Sequence, residues 1–445
     1  IAGASPADRL TESVLAGITL AMAMIPEEFP VILTVFLSMG AWRLAKKNSL
    51  VRKLPSVETL GAVSVLCVDK TGTITMNQMT VQDTWAKTGD EKSLITIMGM
   101  ACETDAYDPM EKAMLAYCEK NNITRDELFG GELITEYPFT NELKMMGHVW
   151  RKNGKVIIAA KGSPERILTI CALSDMEKAE CEKKINELSS RGLRVIAVAA
   201  MNPQTDNDIP EKITDCSLTF LGLVGLADPP RESVKTDIAV CNKAGIRVVM
   251  ITGDNGGTAA SIAKQIGMKN YDHIITGDML NNMTDEELRE KVKEVSIFSR
   301  VVPEHKMRIV KAFRDNGEIV AMTGDGVNDA PALKQADIGF AMGDGTAVAQ
   351  EAGDVVILNN SLTSIKDCVL NSRTMAKSVG KFLIFQLTVN ISTLLMNIIA
   401  PILGWTEPFS IVQILWINLI MDTLAAMAFG GEPILDRYMK EQPAK

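Results

Sequence analysis

The sequence has few of the residues that hold a zinc ribbon or a disulfide framework. It contains eight cysteines and three histidines in 445 residues, and no two cysteines are spaced as CxxC. Neither kind of scaffold is therefore indicated, and we expect the cysteines to be reduced residues of the core.

Positive charge is also in deficit, because 46 Lys and Arg oppose 55 Asp and Glu, a net charge of −9. A general electrostatic attraction to nucleic acid is not expected from this balance. No internal repeat or low-complexity tract is found, and the length predicts roughly three structural units at about 150 residues each. Because Ile1 is followed by no basic region or signal cleavage site, we interpret the chain as a piece of a longer protein.

Three apolar stretches, residues 13–44, 382–403 and 409–429, are long enough to cross a bilayer, which takes about 20 residues of helix. Basic residues follow the first stretch and precede the second, so the positive-inside rule predicts a cytoplasmic head between them. The short link 404–408 predicts a helical hairpin. Buried helices of a soluble protein remain the alternative for all three.

The predicted head has the pattern of an α/β protein. From residue 222 onward, short apolar runs alternate with helical patterns, as in a doubly wound parallel sheet with helices on both faces. The run 63–68 is predicted to add a strand to that sheet, and a less regular middle part is predicted to be an inserted α+β domain. The expected division is a transmembrane helix with a basic stalk in 1–53, the sheet domain in 54–82 and 228–364, the inserted domain in 83–227, and a stalk with the membrane hairpin in 365–445.

Acidic residues follow three of the predicted strands: Asp69, Asp254 and Asp325. Because the carboxyl ends of parallel strands meet at one edge of a sheet, these groups should converge there. A carboxylate at this edge can attack phosphorus, and two such groups can hold Mg²⁺. Lys306 is expected to provide a fixed positive charge opposite the transferred group. Each motif alone also occurs in ordinary Asp/Gly turns.

Four motifs together resemble the P-type cation-transporting ATPases, whose phosphorylation domain is similar to the haloacid-dehalogenase fold: DKTGT at 69–73, DPPR at 228–231, TGDN at 252–255 and TGDGVNDAPAL at 323–333. The resemblance covers essentially the whole chain. It implies that ATP and Mg²⁺ are used and that the sheet domain is phosphorylated. The implied roles are phosphorylation of Asp69, Mg²⁺ binding by Asp69, Asp325 and the Thr71 carbonyl, phosphoryl contacts from Thr252 and Lys306, and support from Asp329.

The residue at position 71 bears on the choice between two classes of activity, a pump with a persistent phosphoenzyme and a phosphatase. Hydrolases of the same superfamily usually have an aspartate at this position that serves as general acid and base. A threonine transfers protons poorly, which suits a phosphoenzyme that must persist. A membrane-tethered phosphatase of that superfamily remains an alternative that Thr71 disfavours.

By the same resemblance, the inserted domain binds the nucleotide. Phe139 would stack on adenine, and the other implied nucleotide contacts are Glu111, Lys144, Lys161, Arg194, Gly253 and Asp254. Without the resemblance, a phenylalanine beside lysines is more often a core aromatic next to a solvated face.

A cation site is predicted within the membrane stretches. Pro26 and Pro30 interrupt the first one, so the helix should unwind around Glu27, an ionisable residue at membrane depth. Oxygen ligands there would suit Ca²⁺, which accepts about six to eight. The alternative is a hydrogen-bonded polar cluster that holds the helices together. The predicted ligands are the side chains of Glu27, Asn390, Asn418 and Asp422 and the carbonyls of Met22, Ala23 and Ile25.

Residues 381–390 and 415–423 resemble the plasma-membrane-type calcium pumps. Thr393 and Met421 stand where two-ion pumps usually have glutamate and threonine, which predicts one Ca²⁺ per cycle. Glu28 and Phe29 stand where calcium pumps usually have Gly-Leu, so a pump for another cation remains an alternative.

A complete pump of this family also has an actuator domain with a TGE loop and further spans, which we do not find in the sequence. The expected partners are therefore ATP, membrane lipid, the transported cation and the rest of the same pump, and no nucleic acid. The expected location is the plasma membrane, with the head domains in the cytoplasm. Alone, the chain is not expected to transport.

Overall fold

The structure, a computed structural model, describes residues 6–24, 29–140, 142–405 and 409–443. Its strands, in chain order, are β1 Ser49–Val51, β2 Val65–Asp69, β3 Thr80–Ala86, β4 Glu132–Tyr137, β5 Met145–Lys152, β6 Lys155–Gly162, β7 Arg194–Met201, β8 Thr219–Ala227, β9 Arg247–Ile251, β10 Ile274–Thr276, β11 Ile297–Ser299, β12 Val320–Gly324, β13 Ile338–Met342 and β14 Val355–Ile357. Its helices are α1 Pro6–Met24, α2 Phe29–Ala45, α3 Ser56–Thr59, α4 Glu91–Met100, α5 Pro109–Lys120, α6 Arg125–Phe129, α7 Pro164–Ile167, α8 Asp175–Ser190, α9 Val234–Lys243, α10 Gly256–Gln265, α11 Gly277–Asn282, α12 Asp285–Lys291, α13 Pro303–Asp315, α14 Ala330–Gln335, α15 Ala347–Ala352, α16 Leu362–Ile402, α17 Ile411–Trp416 and α18 Thr423–Gly430.

The predicted doubly wound parallel sheet is confirmed. Within the described residues it has eight strands in the order β1-β14-β13-β12-β2-β9-β11-β10, all parallel except the edge pair of β1 and β14. Its strands are apolar along their whole length because separate buried clusters cover its two faces. Asp69, the last residue of β2, lies opposite Ile251, the last residue of β9. The antiparallel strand β1 was not predicted, since three residues carry almost no periodic signal.

The inserted α+β domain is a six-stranded antiparallel sheet in the order β3-β8-β7-β6-β5-β4. Helices α4 and α5 cover one face, and α7 and α8 cover the other. Strand β3 begins at Thr80, before the predicted boundary at residue 83. The two connecting segments meet where Thr75 bridges Pro230.

Two helices among the described residues are long and apolar enough to cross a membrane: Leu362–Ala400, within α16, and Val412–Gly430. The second is not uniformly α-helical, because a π-helical turn at Ile417–Asp422 joins α17 to α18. The first predicted stretch is divided into α1 and α2, and the unwinding predicted around Glu27 lies outside the described residues. Pro30 stands in the first turn of α2, where its missing N–H removes no helical hydrogen bond.

Arg373, within α16, ties this helix to the base of the sheet domain. Its guanidinium donates to the carbonyls of Ala244, after α9, and of Tyr438 and Glu441 near the C-terminus, at 2.8 to 3.1 Å. Tyr438 is buried in the same cluster as one face of the parallel sheet. The long helix and the parallel sheet therefore pack as one unit.

Candidate active site

Asp69 closes the central strand β2, and its carboxylate faces a lysine from a distant helix. Lys306, in the first turn of α13, places Nζ 2.8 Å from Asp69 Oδ2 and 2.7 Å from Asp329 Oδ1. The Asp69 N–H donates to the Thr323 hydroxyl on the neighbouring strand at 2.9 Å. The structure thus brings together Asp69, Lys306 and Asp329, three of the four predicted catalytic residues.

Asp329 also holds the loop that follows β12. Its second oxygen accepts the N–H groups of Asp325 and Gly326, both at 3.1 Å. This close approach explains Gly324, because a Cβ there would lie 2.5 Å from Asp329 Cβ. One buried carboxylate therefore fixes both the lysine and the backbone of the loop.

Carboxylates are in excess at this edge, since Asp69, Asp325 and Asp329 lie around Lys306. Burial alone would lower the pKa of Lys306, but Asp69 and then Asp329 outweigh it and raise that pKa. Burial raises the pKa of Asp325, and the neighbouring Asp69 and Asp329 raise it further. An excess of carboxylate charge in a partly buried site fits a divalent cation, and Mg²⁺ is bound through carboxylates and phosphate oxygens.

The turn after Asp69 positions the other predicted Mg²⁺ ligand, the Thr71 carbonyl. The Thr71 N–H points back to Asp69 Oδ1 at 3.4 Å, and Gly72 has a φ of +77°, which favours glycine. Arg231 of the DPPR motif donates to the Gly72 carbonyl at 2.9 Å. The turn is therefore held by two contacts, one from the Asp69 carboxylate and one from Arg231, which follows the inserted domain in the chain.

The TGDN loop after β9 makes an ion pair that the sequence did not predict. Asp254 Oδ2 lies 2.6 Å from Lys70 Nζ, and Lys70 is buried. Thr252, the fourth predicted catalytic residue, is buried with its hydroxyl accepting the Asp254 N–H at 3.1 Å. Gly253 leaves open space where a Cβ would stand. Lys70 directly follows a buried strand, and a lysine that becomes buried requires an anionic partner. The position of Lys70 is therefore the sequence signal that could have revealed the pair.

Five predicted nucleotide residues line a single cavity of about 670 Å³ in the inserted domain: Glu111, Phe139, Lys144, Lys161 and Arg194. Lys161 and Glu111 form a buried ion pair at 2.5 Å, and Lys161 also donates to the Ala101 carbonyl at 2.6 Å. Phe139 is 55% exposed and so is free to stack on a planar ligand. Three acidic lining residues were not among the predicted contacts: Glu103, Asp108 and Glu165.

A second cleft, of about 480 Å³, lies between the inserted domain and the edge of the parallel sheet. It is lined by Lys70 and Asp254 on the parallel-sheet side and by Arg191 and Arg194 on the inserted domain. Arg194 lines both spaces. A long anionic ligand in the cavity would thus have cationic side chains along its path to the edge of the parallel sheet.

The predicted cation ligands are described only in part. Asn390 on α16 and Asn418 in the π-helical turn are buried, and no hydrogen-bond partner for the Asn390 amide nitrogen is found in the described part of the chain. Met22 and Ala23 lie in the last turn of α1, and Ile25 and Glu27 lie outside the described residues.

Asp422 closes the π-helical turn that contains Asn418. The prediction that these two residues share a face assumed α-helical spacing. In a π-helical turn the hydrogen bonds run from i to i+5, so the two residues are separated by slightly less than one turn. Helix α1, whose last turn contains Met22 and Ala23, packs against α16, which contains Asn390, and against α17, which leads into the turn with Asn418 and Asp422.

A model of the haloacid dehalogenase-like hydrolases matches residues 63–337, more than half of the sequence. The chain belongs to this family. A model described as the C-terminus of cation-transporting ATPases matches residues 406–445. The resemblance to P-type cation-transporting ATPases predicted from the motifs is confirmed by the relatives described next.

A calcium-transporting ATPase of Bacillus cereus is 38% identical over 97% of this chain and 52% of its own length. A plasma membrane-type calcium-transporting ATPase of Arabidopsis thaliana is 35% identical over 98% of the chain and 47% of its own length. The chain spans about half the length of these curated relatives. The crystal structure of a zinc-transporting PIB-type ATPase in an E2·Pi state shares the fold, with a TM-score of 0.67 and 23% identity over 96% of this chain and 57% of that one.

Proposed function

We propose that this chain is the phosphorylation, nucleotide-binding and partial membrane portion of an ATP-driven cation pump, with Asp69 as the phosphorylated residue and Ca²⁺ as the transported ion. The observation that carries the proposal is the Asp69 carboxylate at the edge of the parallel sheet, paired with Lys306 at 2.8 Å. Thr71, two residues on, offers no second acid or base to hydrolyse an acyl phosphate.

In the proposed reaction, an Asp69 oxygen attacks the γ-phosphorus of ATP. The bond between that phosphorus and the β,γ-bridging oxygen breaks, and ADP leaves with the electron pair, so no proton transfer is needed. Lys306 offsets negative charge on the transferred group, and Asp329 keeps Lys306 in position. Mg²⁺, held by Asp69, Asp325 and the Thr71 carbonyl, would neutralise phosphate charge.

We further propose that residues 83–227 hold ATP and residues 54–82 with 228–364 accept the phosphoryl group. Phe139 would stack on adenine, Lys144 and the Glu111–Lys161 pair would border the base, and Arg194, which also lines the second cleft, would face the phosphates. Thr252, Gly253 and Asp254 would border the phosphoryl group beyond the connecting cleft.

Phosphorylation from ATP is the direct test. The full-length protein should take an acid-stable, hydroxylamine-sensitive label from ATP in Mg²⁺, and Asp69→Asn should abolish it. Asp315→Asn, at the exposed end of α13, is the matched control and should be labelled normally. Rapid hydrolysis of small phosphate esters without any label would instead indicate a phosphatase.

The transported ion is proposed to be Ca²⁺, with one ion per cycle. The protein would lie in the plasma membrane with its head domains in the cytoplasm. The proposed ligands of the ion are Glu27, Asn390, Asn418, Asp422 and the carbonyls at residues 22, 23 and 25. The relatives named as calcium-transporting ATPases and the buried amides of Asn390 and Asn418 support it. Calcium should be required for labelling in a panel with Mn²⁺, Na⁺ and K⁺, and equilibrium binding should give about one ion per phosphorylated site. Two ions per site would refute the stoichiometry.

Ion occupancy is proposed to control transfer to Asp69, and the rest of the pump, including its actuator domain, would complete the cycle. Asp422→Asn should weaken the calcium dependence of labelling, whereas Asp436→Asn, after the hairpin, should not. Unchanged calcium affinity in Asp422→Asn would contradict this coupling.

A further inference from the structure

A histidine and two glutamates meet on the inserted domain, apart from the residues assigned above to phosphoryl transfer and cation transport. One ligand atom each of Glu103, Glu136 and His148 lies within 4.8 Å of the others. Glu103 also lines the nucleotide cavity, so the cluster borders that cavity without being part of its predicted contacts.

The fold brings these residues together from three segments. His148 on β5 stands directly opposite Glu136 on β4, so both side chains leave the sheet on one face. Glu103 comes from the turn after α4, which packs on that same face of the sheet. The arrangement therefore depends on tertiary packing and not on a local acidic run.

The ring of His148 is held in one orientation. Its Nδ1 lies 3.3 Å from the Met100 carbonyl oxygen, and Trp150 Nε1 donates to the same oxygen at 2.8 Å. A carbonyl can only accept, so the partner assigns the proton to Nδ1 and leaves the lone pair on Nε2.

Nε2 is the atom directed at the carboxylates. It is 3.8 Å from Glu103 Oε1, too far for a hydrogen bond, and the structure gives it no hydrogen-bond partner among the described residues. The side chain is almost completely buried, with 2% of His148 exposed. A lone pair that faces two anionic groups, with no donor between them, is unfavourable unless a cation lies there.

We propose that His148, Glu103 and Glu136 bind a divalent transition-metal ion of the Zn²⁺ type. One imidazole and two carboxylates form a ligand set that Zn²⁺ accepts with water in the fourth position. Histidines that ligate metals usually donate the other ring N–H to a carbonyl or carboxylate, as His148 does to Met100. Mg²⁺ and Ca²⁺ prefer oxygen ligands alone, so the imidazole ligand distinguishes this site from the proposed Mg²⁺ and Ca²⁺ sites.

The spacing of the ligand atoms allows this coordination. With bonds of about 2.0 to 2.2 Å, the ligand atoms of a tetrahedral zinc ion lie roughly 3 to 4 Å apart. The Glu103 side chain is 48% exposed and Glu136 is exposed, so both can move inward while His148 stays fixed. The buried histidine thus serves as the anchor and the glutamates close on the ion.

Zinc binding to the whole chain, without nucleotide, tests the proposal. After chelator treatment and equilibration with buffered Zn²⁺, the chain should hold about one zinc ion, and Glu136→Gln should weaken binding at least about tenfold. Because Glu136 is exposed, this substitution should leave thermal unfolding unchanged. His148→Ala should remove the ion. His273→Ala, an exposed histidine of the other domain, should retain it.

Equal zinc affinity in wild type, Glu136→Gln and His148→Ala would overturn the proposal. So would the absence of zinc binding in the wild type at neutral pH. Neither measurement depends on ATP, so either result leaves the proposed pump function untouched.

Discussion

Asp69 and Lys306 are 237 positions apart in the chain, yet their side chains meet at 2.8 Å. The lysine comes from α13 and the aspartate from the end of β2, so the pair exists only when the parallel sheet is complete. The same lysine is 2.7 Å from Asp329, and the Asp69 carboxylate is therefore held by a three-residue ionic network.

Lys306→Met should reduce labelling of Asp69 by ATP by about a hundredfold or more, because preorganised positive charge near a transferred group typically contributes that much to the rate. Lys311→Met, on an exposed position of the same helix, should label normally. Initial rates of acid-stable phosphoenzyme formation measure the effect. A Lys306 variant with an unchanged rate would show that the ion pair is only structural.

Phe139→Ala should weaken ATP binding about tenfold, or about 1.4 kcal/mol, which is within the range for loss of one base-stacking ring. Thermal unfolding should not change, because the ring is largely exposed and contributes little to the core. Phe139→Tyr should restore affinity, and Tyr107→Ala, an exposed ring outside the cavity, should have no effect. Nucleotide titration by calorimetry provides the values.

Glu111 and Lys161 form a buried pair, so removing one partner leaves an unpaired charge in a low-dielectric site. Glu111→Ala or Lys161→Ala should each destabilise the inserted domain by about 3 to 5 kcal/mol. The double variant should lose less than the sum of the two, as measured by urea unfolding. Lys155→Ala, exposed on the same strand as Lys161, is the control; strict additivity would argue against a coupled pair.

His305 predicts a pH dependence of stability. It is buried at the start of α13, where Nδ1 accepts the Val302 N–H at 3.4 Å and Nε2 lies 2.7 Å from Asn281 Oδ1. Because Nδ1 accepts in the first contact, that contact requires the neutral ring, whereas Nε2 can donate to the Asn281 oxygen in either charge state. Burial, and then Arg308, lower the pKa of His305 below its ordinary value.

Because the unfolded chain binds this proton more readily, stability should fall as pH drops below about 6.5, the ordinary histidine value, toward the lowered pKa of the folded state. His305→Gln should replace the Nδ1 acceptor at the helix start with a side-chain oxygen that does not titrate, and so reduce the change in melting temperature between neutral and mildly acidic pH. His305→Ala should lose about 1 kcal/mol at neutral pH as well. An identical pH profile for wild type and His305→Gln would contradict this assignment.

Much of the active site could be predicted because its residues directly follow apolar runs. Asp69 and Asp254 come after β2 and β9, adjacent parallel strands, and Asp325 comes after β12, the strand on the other side of β2. Topology alone then brings them to one edge. The five cavity residues of the inserted domain were found only through family resemblance, since their positions follow no periodic pattern.

What could not be predicted depends on side-chain packing. The Lys70–Asp254 pair and the sharing of Asp329 between Lys306 and two backbone amides arise from buried polar groups that must find partners. The π-helical turn at Ile417–Asp422 also leaves no signature in an apolar run, because the side chains there are as hydrophobic as those of an α-helix. The meeting of His148 with Glu103 and Glu136 likewise depends on how β4 and α4 pack around β5.

The 41 residues of α16 run without interruption from the buried base of the parallel sheet to beyond Asn390. At about 1.5 Å per residue the helix is roughly 60 Å long, so a rotation of about 5° at its head end would sweep its far end through roughly 5 Å. That distance is comparable to the diameter of a partly hydrated ion. A slight reorientation of the sheet domain would therefore be magnified, by leverage alone, into a displacement large enough to open or shut a path for an ion.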